Sequence, residues 1–404
     1  MINMFKIFFI ISLLSNFIFA EIGITAIKTD KIIKNHLFPT DSIWDNIKLT
    51  DVIVYPQTTI KFNDKEAKKL NAYNKAKLIK IGAIYNNNGF SIKMSWKDDT
   101  YNAQSGLKSD KYPDAFATQI AKFFDNPKKL PYIGMGSKNR PVIVHLHKNI
   151  KKHFEPNGYG DVEHQNVINQ TNRYSNKDIN AFKKKVHESA KTEYTRSFIS
   201  EGFRSMTEIK DKSSKFRMSM YYNKNTKHWT GIMARKFKDI NIDLSKSGAI
   251  PIAFAIWDGS KLGRDGLKHL STWISLNFQG KSGNENLIKE LTSEDKGDLV
   301  TGKIQVESMC SACHTLNKNK PATPYMAPDL TNIGGYSTNA YLVESIKDPN
   351  AVIVPGYNRN AHKNFKWYNV DSQGKRSSTM PVMMTDDKMI ENAVKYLRSL
   401  KVGQ

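Results

Sequence analysis

Residues 310 to 314 read Cys310, Ser311, Ala312, Cys313 and His314, and this stretch decides the fold of the last part of the chain. Two thiols at this spacing can add across the two vinyl groups of a haem, and a histidine beside the second thiol can bind its iron. A redox dithiol would need a thioredoxin-like surrounding sequence, and a zinc site would need a second pair of ligands. The motif therefore predicts one covalently attached haem c, with Cys310 and Cys313 as attachment points and His314 as an iron ligand.

The sequence around this motif is typical of short helices. Residues 298 to 309, with Gly302 near the middle, lead into the haem site, and Thr385 can cap a helix at the end of the chain. The apolar residues of that last helix recur at helical spacing, namely Ile390, Ala393, Val394, Leu397 and Leu400. Residues 285 to 404 thus resemble an all-α class I cytochrome c domain, in which the first and last helices cross beside the haem.

The cytochrome c resemblance also implies a sixth iron ligand, because a methionine thioether on a loop before the last helix commonly fills that position. Met380 is the first choice, 66 residues after His314. The resemblance further implies that the carbonyl of Pro328 orients the imidazole of His314. Three other methionines remain as rivals for the iron: Met326, Met383 and Met384.

The larger region, residues 21 to 280, contains short runs rich in Ile, Val, Phe, Tyr and Trp between turn residues. This pattern predicts an antiparallel β sandwich. A lysine-rich stretch, residues 172 to 206, reads as a helical insertion, with the helix expected over residues 178 to 198. Examples of the predicted strands are residues 51 to 54, 90 to 96, 141 to 147, 228 to 237 and 250 to 257.

A signature near the end of this region resembles a known family. Residues 254 to 259 read Phe-Ala-Ile-Trp-Asp-Gly, and residues 263 to 273 continue with Gly263, Arg264, Gly266, Lys268 and Trp273. This is similar to the haem b (γ) subunit of ethylbenzene dehydrogenase and its relatives in the type II dimethyl sulfoxide reductase group. Further motifs match in the expected order, namely Trp44, Pro56 and Gln57, then residues 96 to 100, 112 to 115, 132 to 136, 141 to 142 and 229 to 235.

The family resemblance implies a noncovalent haem b held between a methionine and a lysine, at positions matching Met135 and Lys268. Burial lowers the pKa of a lysine and makes available the neutral amine that can bind iron. Because a thioether and an amine fill both axial positions, such a haem favours electron transfer over catalysis. His145 and His147 remain alternative haem contacts, since they follow Met135 in a predicted strand.

The first twenty residues have the features of a secretory signal peptide. Lys6 precedes the apolar run of residues 7 to 14, and Ala20 precedes Glu21 at the expected cleavage point. Cleavage there predicts an exported, periplasmic protein. An uncleaved membrane anchor is the alternative, but the apolar run is short for a span and Asn16 interrupts it.

The formal net charge is +23, from 61 Lys and Arg against 38 Asp and Glu, which suits an acidic partner. Arginine, the residue best suited to phosphate and guanine recognition, is sparse and never clustered, so nucleic acid is not an expected partner. A solvated, lysine-rich surface without a docking role explains the charge equally well.

Together these patterns predict a periplasmic diheme electron-transfer protein without its own substrate site, because no nucleophile–base pair or catalytic metal motif stands out. By resemblance, its partners are a molybdenum catalytic subunit and an iron–sulfur subunit, with a soluble or membrane electron carrier on the other side. Two alternatives remain. The sandwich can be a haem-free recognition module carrying a cytochrome, or one haem can lack its sixth ligand and reduce or sense a small molecule.

Overall fold

The computed structural model describes residues 23–103, 111–150, 194–210, 216–317 and 319–401. The predicted signal peptide, residues 1 to 20, and residues 172 to 193 of the predicted insertion lie outside these ranges. No helix within them is long and apolar enough to cross a bilayer.

The first part of the described chain is built from strands with one short helix, α1 (Lys65–Leu70). The strands are β1 (Ile24–Lys28), β2 (Thr50–Pro56), β3 (Lys77–Tyr85), β4 (Gly89–Lys97), β5 (Ala115–Ala121), β6 (Val142–Lys148), β7 (Tyr194–Ser200), β8 (Thr207–Glu208), β9 (Phe216–Asn223), β10 (His228–Lys236), β11 (Ala249–Trp257), β12 (His269–Leu270) and β13 (Ile274–Phe278). The later part contains α2 (Glu285–Thr292), α3 (Leu299–Met309), α4 (Ile333–Tyr336), α5 (Asn339–Lys347), the hairpin β14 (Tyr368–Val370) and β15 (Arg376–Ser378), and α6 (Asp387–Ser399).

The strands form a β sandwich in which one layer has the order β8-β7-β6-β5-β11 and the other has the order β2-β3-β4-β10-β9. β11 joins the layers, because it pairs with β13 along its first half and with β12 along its second half. β12 pairs in turn with β2, while β13 pairs with β1, which pairs with β3. All these pairs are antiparallel except the two that β1 makes with β13 and β3. The predicted antiparallel sandwich is therefore confirmed.

The interior of the sandwich is filled by alternate residues of facing strands, as the two-residue period of a strand requires. Trp96 of β4 pairs directly with Trp229 of β10, and their rings stack with centroids 6.4 Å apart. β11 contributes its own alternate large residues, Ile250, Ile252, Phe254 and Ile256, to this interior.

The opposite face of β5 and β11 carries small side chains, because the intervening residues are Ala115, Ala117, Ala253 and Ala255. These methyl groups leave space that larger side chains would fill. The outer face of this layer therefore contains a hollow, in contrast to the close-packed interior.

All five predicted strands exist, as parts of β2, β4, β6, β10 and β11. The helix predicted to reach Phe198 is wrong over its last residues, because Tyr194–Ser200 forms β7 and pairs with β6. This segment favours a strand beside β6 over the end of a helix, because it is rich in aromatic and β-branched residues, namely Tyr194, Thr195, Phe198 and Ile199.

The helices of the later part pack around the crossing of α3 and α6. A Cβ atom on Gly302 of α3 would collide with the main chain of Asn392 of α6, so the close approach requires glycine. The side chain of Asp386, rather than the expected Thr385, caps α6 by accepting a hydrogen bond from the Met389 amide at 2.8 Å. The arrangement confirms the predicted helical domain.

The two parts of the molecule share an apolar core. One cluster includes Leu270 and Trp273 of the sandwich together with Val306, Tyr336 and Leu397 of the helical part. Helix α2 also contacts β11 and β13. From their lengths we would expect two domains with separate cores. That expectation holds for the sandwich interior and is wrong for the outer face, where the helical part covers apolar side chains that would otherwise meet water.

Candidate haem sites

The haem c motif lies where α3 ends. Cys310 caps the helix, Cys310 and Cys313 are not joined by a disulfide, and His314 follows in the next turn. The ring nitrogen Nδ1 of His314 lies 2.7 Å from the carbonyl oxygen of Pro328. Because a carbonyl only accepts hydrogen bonds, Nδ1 carries the proton and Nε2 keeps its lone pair for iron. The expected role of the Pro328 carbonyl is confirmed, and the residues present fit a covalent haem.

The methionines before α6 differ in environment. Met380 is half-buried, and its amide donates to Ser378 Oγ at 3.1 Å. Met383 is exposed, whereas Met384 is buried in the shared core. Met326 is half-buried on the loop that carries Pro328. Burial therefore accounts for Met384 as a packing residue, whereas Met326 and Met380 share a half-buried environment, so the choice of Met380 stays a prediction.

A cavity of about 320 Å³ opens on the outer face of the β5–β6–β11 layer. This volume lies in the range of small-molecule and cofactor pockets. Its floor is apolar and comes from strands, and its walls come from the loops around residues 112, 133, 204 and 264. Met135 and Lys268, which are 133 positions apart in the sequence, both line this cavity.

Lys268 is unusually buried for a lysine, with 7% of its surface exposed. Its Nζ atom donates to the Asp265 carbonyl at 3.1 Å and lies 5.7 Å from the centre of the Trp257 ring. Burial lowers the pKa of Lys268 to about 8, and the neighbouring Asp265 opposes part of that shift. Deprotonating Lys268, so that its neutral amine can bind a metal ion, therefore requires little free energy near neutral pH.

Met135 sits on a constrained loop. Its φ angle is +76°, in the left-handed region that is unfavourable for a residue with a side chain. Buried donors hold the loop, since Trp273 Nε1 donates to the Pro131 carbonyl at 2.8 Å and Gln119 Nε2 donates to the Ile133 carbonyl at 3.0 Å. The surrounding structure thus fixes Met135 at the cavity wall.

The alternative haem contacts, His145 and His147, point away from the cavity. Val144 and Leu146 of the same strand line it, so the intervening histidines face the other side of the sheet. His145 Nε2 accepts from Arg235 at 3.2 Å, and its Nδ1 lies 3.0 Å from Ser197 Oγ. Both ring nitrogens of His145 therefore have partners within the sandwich.

Three further cations line the cavity wall, namely Lys148, Arg204 and Arg264. Of these, only Arg264 belongs to a motif noted in the sequence, the signature near the end of the sandwich region. Lys148 lies 4.7 Å from the centre of the Tyr194 ring, and Arg264 forms an ion pair of 2.7 Å with Asp64. They place positive charge at the rim of an otherwise apolar site.

A row of aromatic rings connects this cavity to the loop that carries Met380. Phe203 lines the cavity and meets Tyr357 of the helical part at a centroid distance of 6.4 Å. Tyr357 meets Trp367 at 5.8 Å, and the Trp367 carbonyl accepts from the Thr379 amide at 3.2 Å. The two candidate sites are thus parts of one packed body.

A β sandwich with an apolar cavity bearing a buried lysine and a methionine, joined to a helical unit bearing the attachment motif, defines an electron-transfer haem protein. The chain belongs to the ethylbenzene dehydrogenase family, whose model matches residues 41–269, and a cytochrome c model matches residues 299–401. The second domain carries a covalent haem c and the first a haem b, which removes the alternative of a haem-free sandwich.

No curated protein matches the chain closely enough to count as a relative. Two solved structures of a family 9 carbohydrate-binding module from Caldicellulosiruptor kristjanssonii, with cellotriose and with glucose, are similar at 9% and 8% identity. Each comparison covers 65% of this chain and 96% or 98% of the module, with a TM-score of 0.30. These scores are too low to support a conclusion about function.

Proposed function

We propose that this chain is an exported, periplasmic diheme electron-transfer subunit in which Met135 and Lys268 bind the iron of haem b, while His314 and Met380 bind the iron of haem c. The observation that carries the haem b assignment is the meeting of Met135 and Lys268 in one apolar cavity. These four side chains would hold the two irons and leave no open coordination position on either of them. In this proposal neither iron binds a substrate, and the haems would supply electron transfer alone.

The cations at the cavity rim have a role in this proposal. A haem carries two carboxylates, and Arg204, Arg264 and Lys148 can pair with them while the ring lies against the alanine-lined floor. This arrangement keeps the charged edge of the haem near water and its apolar edge buried.

The partners follow from family membership and charge. Ethylbenzene dehydrogenase domains are associated with redox complexes. We propose that a molybdenum catalytic subunit and an iron–sulfur subunit exchange electrons with haem b. The net charge of +23 suits an acidic redox protein, which long-range attraction would steer toward this chain. A soluble or membrane-bound carrier would then exchange electrons with haem c.

The axial role of Lys268 can be tested by its replacement with methionine. Lys268→Met keeps a long side chain of similar volume and changes the ligand atom from nitrogen to sulfur. We expect the variant to retain haem b with altered visible and electron paramagnetic resonance spectra and a shifted haem b potential. Wild type and variant are compared as full-length proteins.

Lys148→Met is the matched control, because Lys148 lines the same cavity and carries the same side chain. We expect it to weaken haem b retention without changing the spectrum of the bound haem. A spectrum unchanged in Lys268→Met, or changed only in Lys148→Met, would remove Lys268 as the ligand.

A further inference from the structure

Three buried carboxylates meet at one end of the sandwich, outside the cavity. Asp98 follows β4, Asp114 precedes β5 and Asp258 follows β11, and one oxygen from each lies within 4.8 Å of the others. The cluster therefore connects both layers of the sandwich. All three residues belong to sequence motifs whose purpose the two haem sites do not explain.

Within the part of the chain that the structure describes, the positive charge around the cluster does not balance its negative charge. Asp258 Oδ2 pairs with Lys77 Nζ at 3.1 Å. Among the described residues, Asp114 accepts hydrogen bonds from main-chain amides alone, those of Gly259 at 2.8 Å and Asn102 at 2.7 Å. Three ionised carboxylates and one lysine would leave two uncompensated charges in a buried place, which is costly.

An orphan oxygen on Asp98 points independently to a missing ligand. Asp98 is 5% exposed, and its Oδ1 accepts from the amide and hydroxyl of Thr100. Its Oδ2 is buried and has no hydrogen-bond partner among the residues that the structure describes. Buried carboxylate oxygens are rarely left without a partner, so this oxygen needs either a proton or a cation.

We propose that Asp98, Asp114 and Asp258 bind one divalent cation that prefers oxygen ligands, with calcium the best match. A set made only of carboxylate oxygens, without nitrogen or sulfur, selects hard cations over zinc or copper. Calcium tolerates irregular geometry and completes its shell with carbonyls or water, whereas magnesium demands a near-ideal octahedron.

The position of the site indicates what the cation would do. Pro113 and Trp257 line the haem b cavity and directly precede Asp114 and Asp258 in the sequence. The turn after Asp258 leads to Lys268. A cation would hold this turn to β4 across the sandwich, and so would act as a structural clamp near the cavity. This consequence rests on the proposed haem b site, but cation binding itself does not.

The test is a calcium titration of the chelator-treated full-length protein by isothermal calorimetry at neutral pH. We expect one saturable site, and a higher thermal unfolding midpoint in calcium than in chelator. Asp98→Asn should weaken calcium binding more than about tenfold, because ligand charge tunes affinity. It preserves the oxygen that accepts from Thr100, so the fold should survive.

Asp99→Asn is the control, because Asp99 is the adjacent carboxylate, is 66% exposed and lies outside the cluster. It should bind calcium as the wild type does. Absence of saturable calcium binding in the wild type, or equal calcium affinity in Asp98→Asn, would overturn the proposal. A protonated carboxyl group would then explain the buried cluster. If Asp98→Asn does not fold, terbium luminescence of the wild type with calcium competition decides between the same two outcomes.

Discussion

At the scale of single residues, the methionines near residue 380 make different contributions. Met380, the proposed iron ligand, is half-buried, whereas Met384, four positions later, is buried in the shared core. We expect Met380→Ala to abolish the far-red charge-transfer band that a methionine sulfur bound to ferric iron produces. The variant should also lower the reduction potential of haem c, with little change in the free energy of unfolding.

Met384→Ala is the matched comparison. It should keep the far-red band and lower the free energy of unfolding by about 2–5 kcal/mol, the usual cost of emptying a buried methionine site. Visible spectra and chemical unfolding of the two variants check both expectations. Loss of the band in Met384→Ala, with the band kept in Met380→Ala, would show that the assignment is reversed.

The buried side chain of His147 makes the free energy of unfolding depend on pH. Burial lowers its pKa to about 4 from 6.5, and its Nδ1 lies 2.7 Å from Thr195 Oγ1. Between these two pKa values the unfolded chain binds a proton that the folded chain does not, so stability falls as pH decreases from about 6.5 to 4. The loss is about 3 kcal/mol, from the size of the shift.

His147→Gln should therefore reduce the loss in free energy of unfolding as the pH decreases from about 6.5 to 4. The measurement is the urea midpoint of wild type and variant between pH 4.5 and pH 7.5. Parallel profiles over the whole range would mean that His147 does not cause the loss.

At the scale of elements, the crossing of α3 and α6 depends on Gly302. Gly302→Ala improves helix propensity by about 1 kcal/mol, but its new Cβ meets the main chain of Asn392. Because overpacking costs about 1–3 kcal/mol and a backbone cannot move aside like a side chain, we expect net destabilisation.

The thermal midpoint of the haem c domain, followed by circular dichroism in the haem band, checks this expectation. Lys303→Ala is the control, since Lys303 is exposed on the same helix and should leave the midpoint nearly unchanged. A midpoint for Gly302→Ala equal to or above that of the control would contradict the packing account.

Elements were predictable where the local pattern and the tertiary surroundings agree. β10 and β11 are long, aromatic and β-branched, and the sequence identifies both. The strand pattern of β5 is weak because Ala115, Ala117 and Ala121 have little strand propensity, and its partners β6 and β11 impose its conformation. β7 was read as part of a helix because the lysine-rich residues before it dominated the pattern.

At the scale of the whole molecule, the sandwich and the helical domain form one body. Arg140 forms a two-bonded ion pair with Glu344 at 2.6 and 2.7 Å, and Asn332 donates to the Pro56 carbonyl at 3.0 Å. Contacts between residues 204 and 276 positions apart have no local sequence signal. The shared core was therefore unpredictable from composition or periodicity.

The haem sites were predictable to different degrees. Cys310, Cys313 and His314 form a local motif whose chemistry can be read directly from the sequence. Met135 and Lys268 were predicted as haem b ligands only through family resemblance, because nothing local distinguishes Lys268 from a surface lysine. The rim cations and the cluster of Asp98, Asp114 and Asp258 come together only through the strand topology.

One chain holds one noncovalent haem b and one covalent haem c, each in its own domain. The most direct measurement is the haem inventory of the purified full-length protein, by pyridine haemochrome spectra before and after acid–acetone extraction. We predict one extractable haem b and one covalent haem c per chain, and haem b alone in the variant Cys310→Ala with Cys313→Ala. Haem c alone in the wild type, or covalent haem in the double variant, would contradict the account.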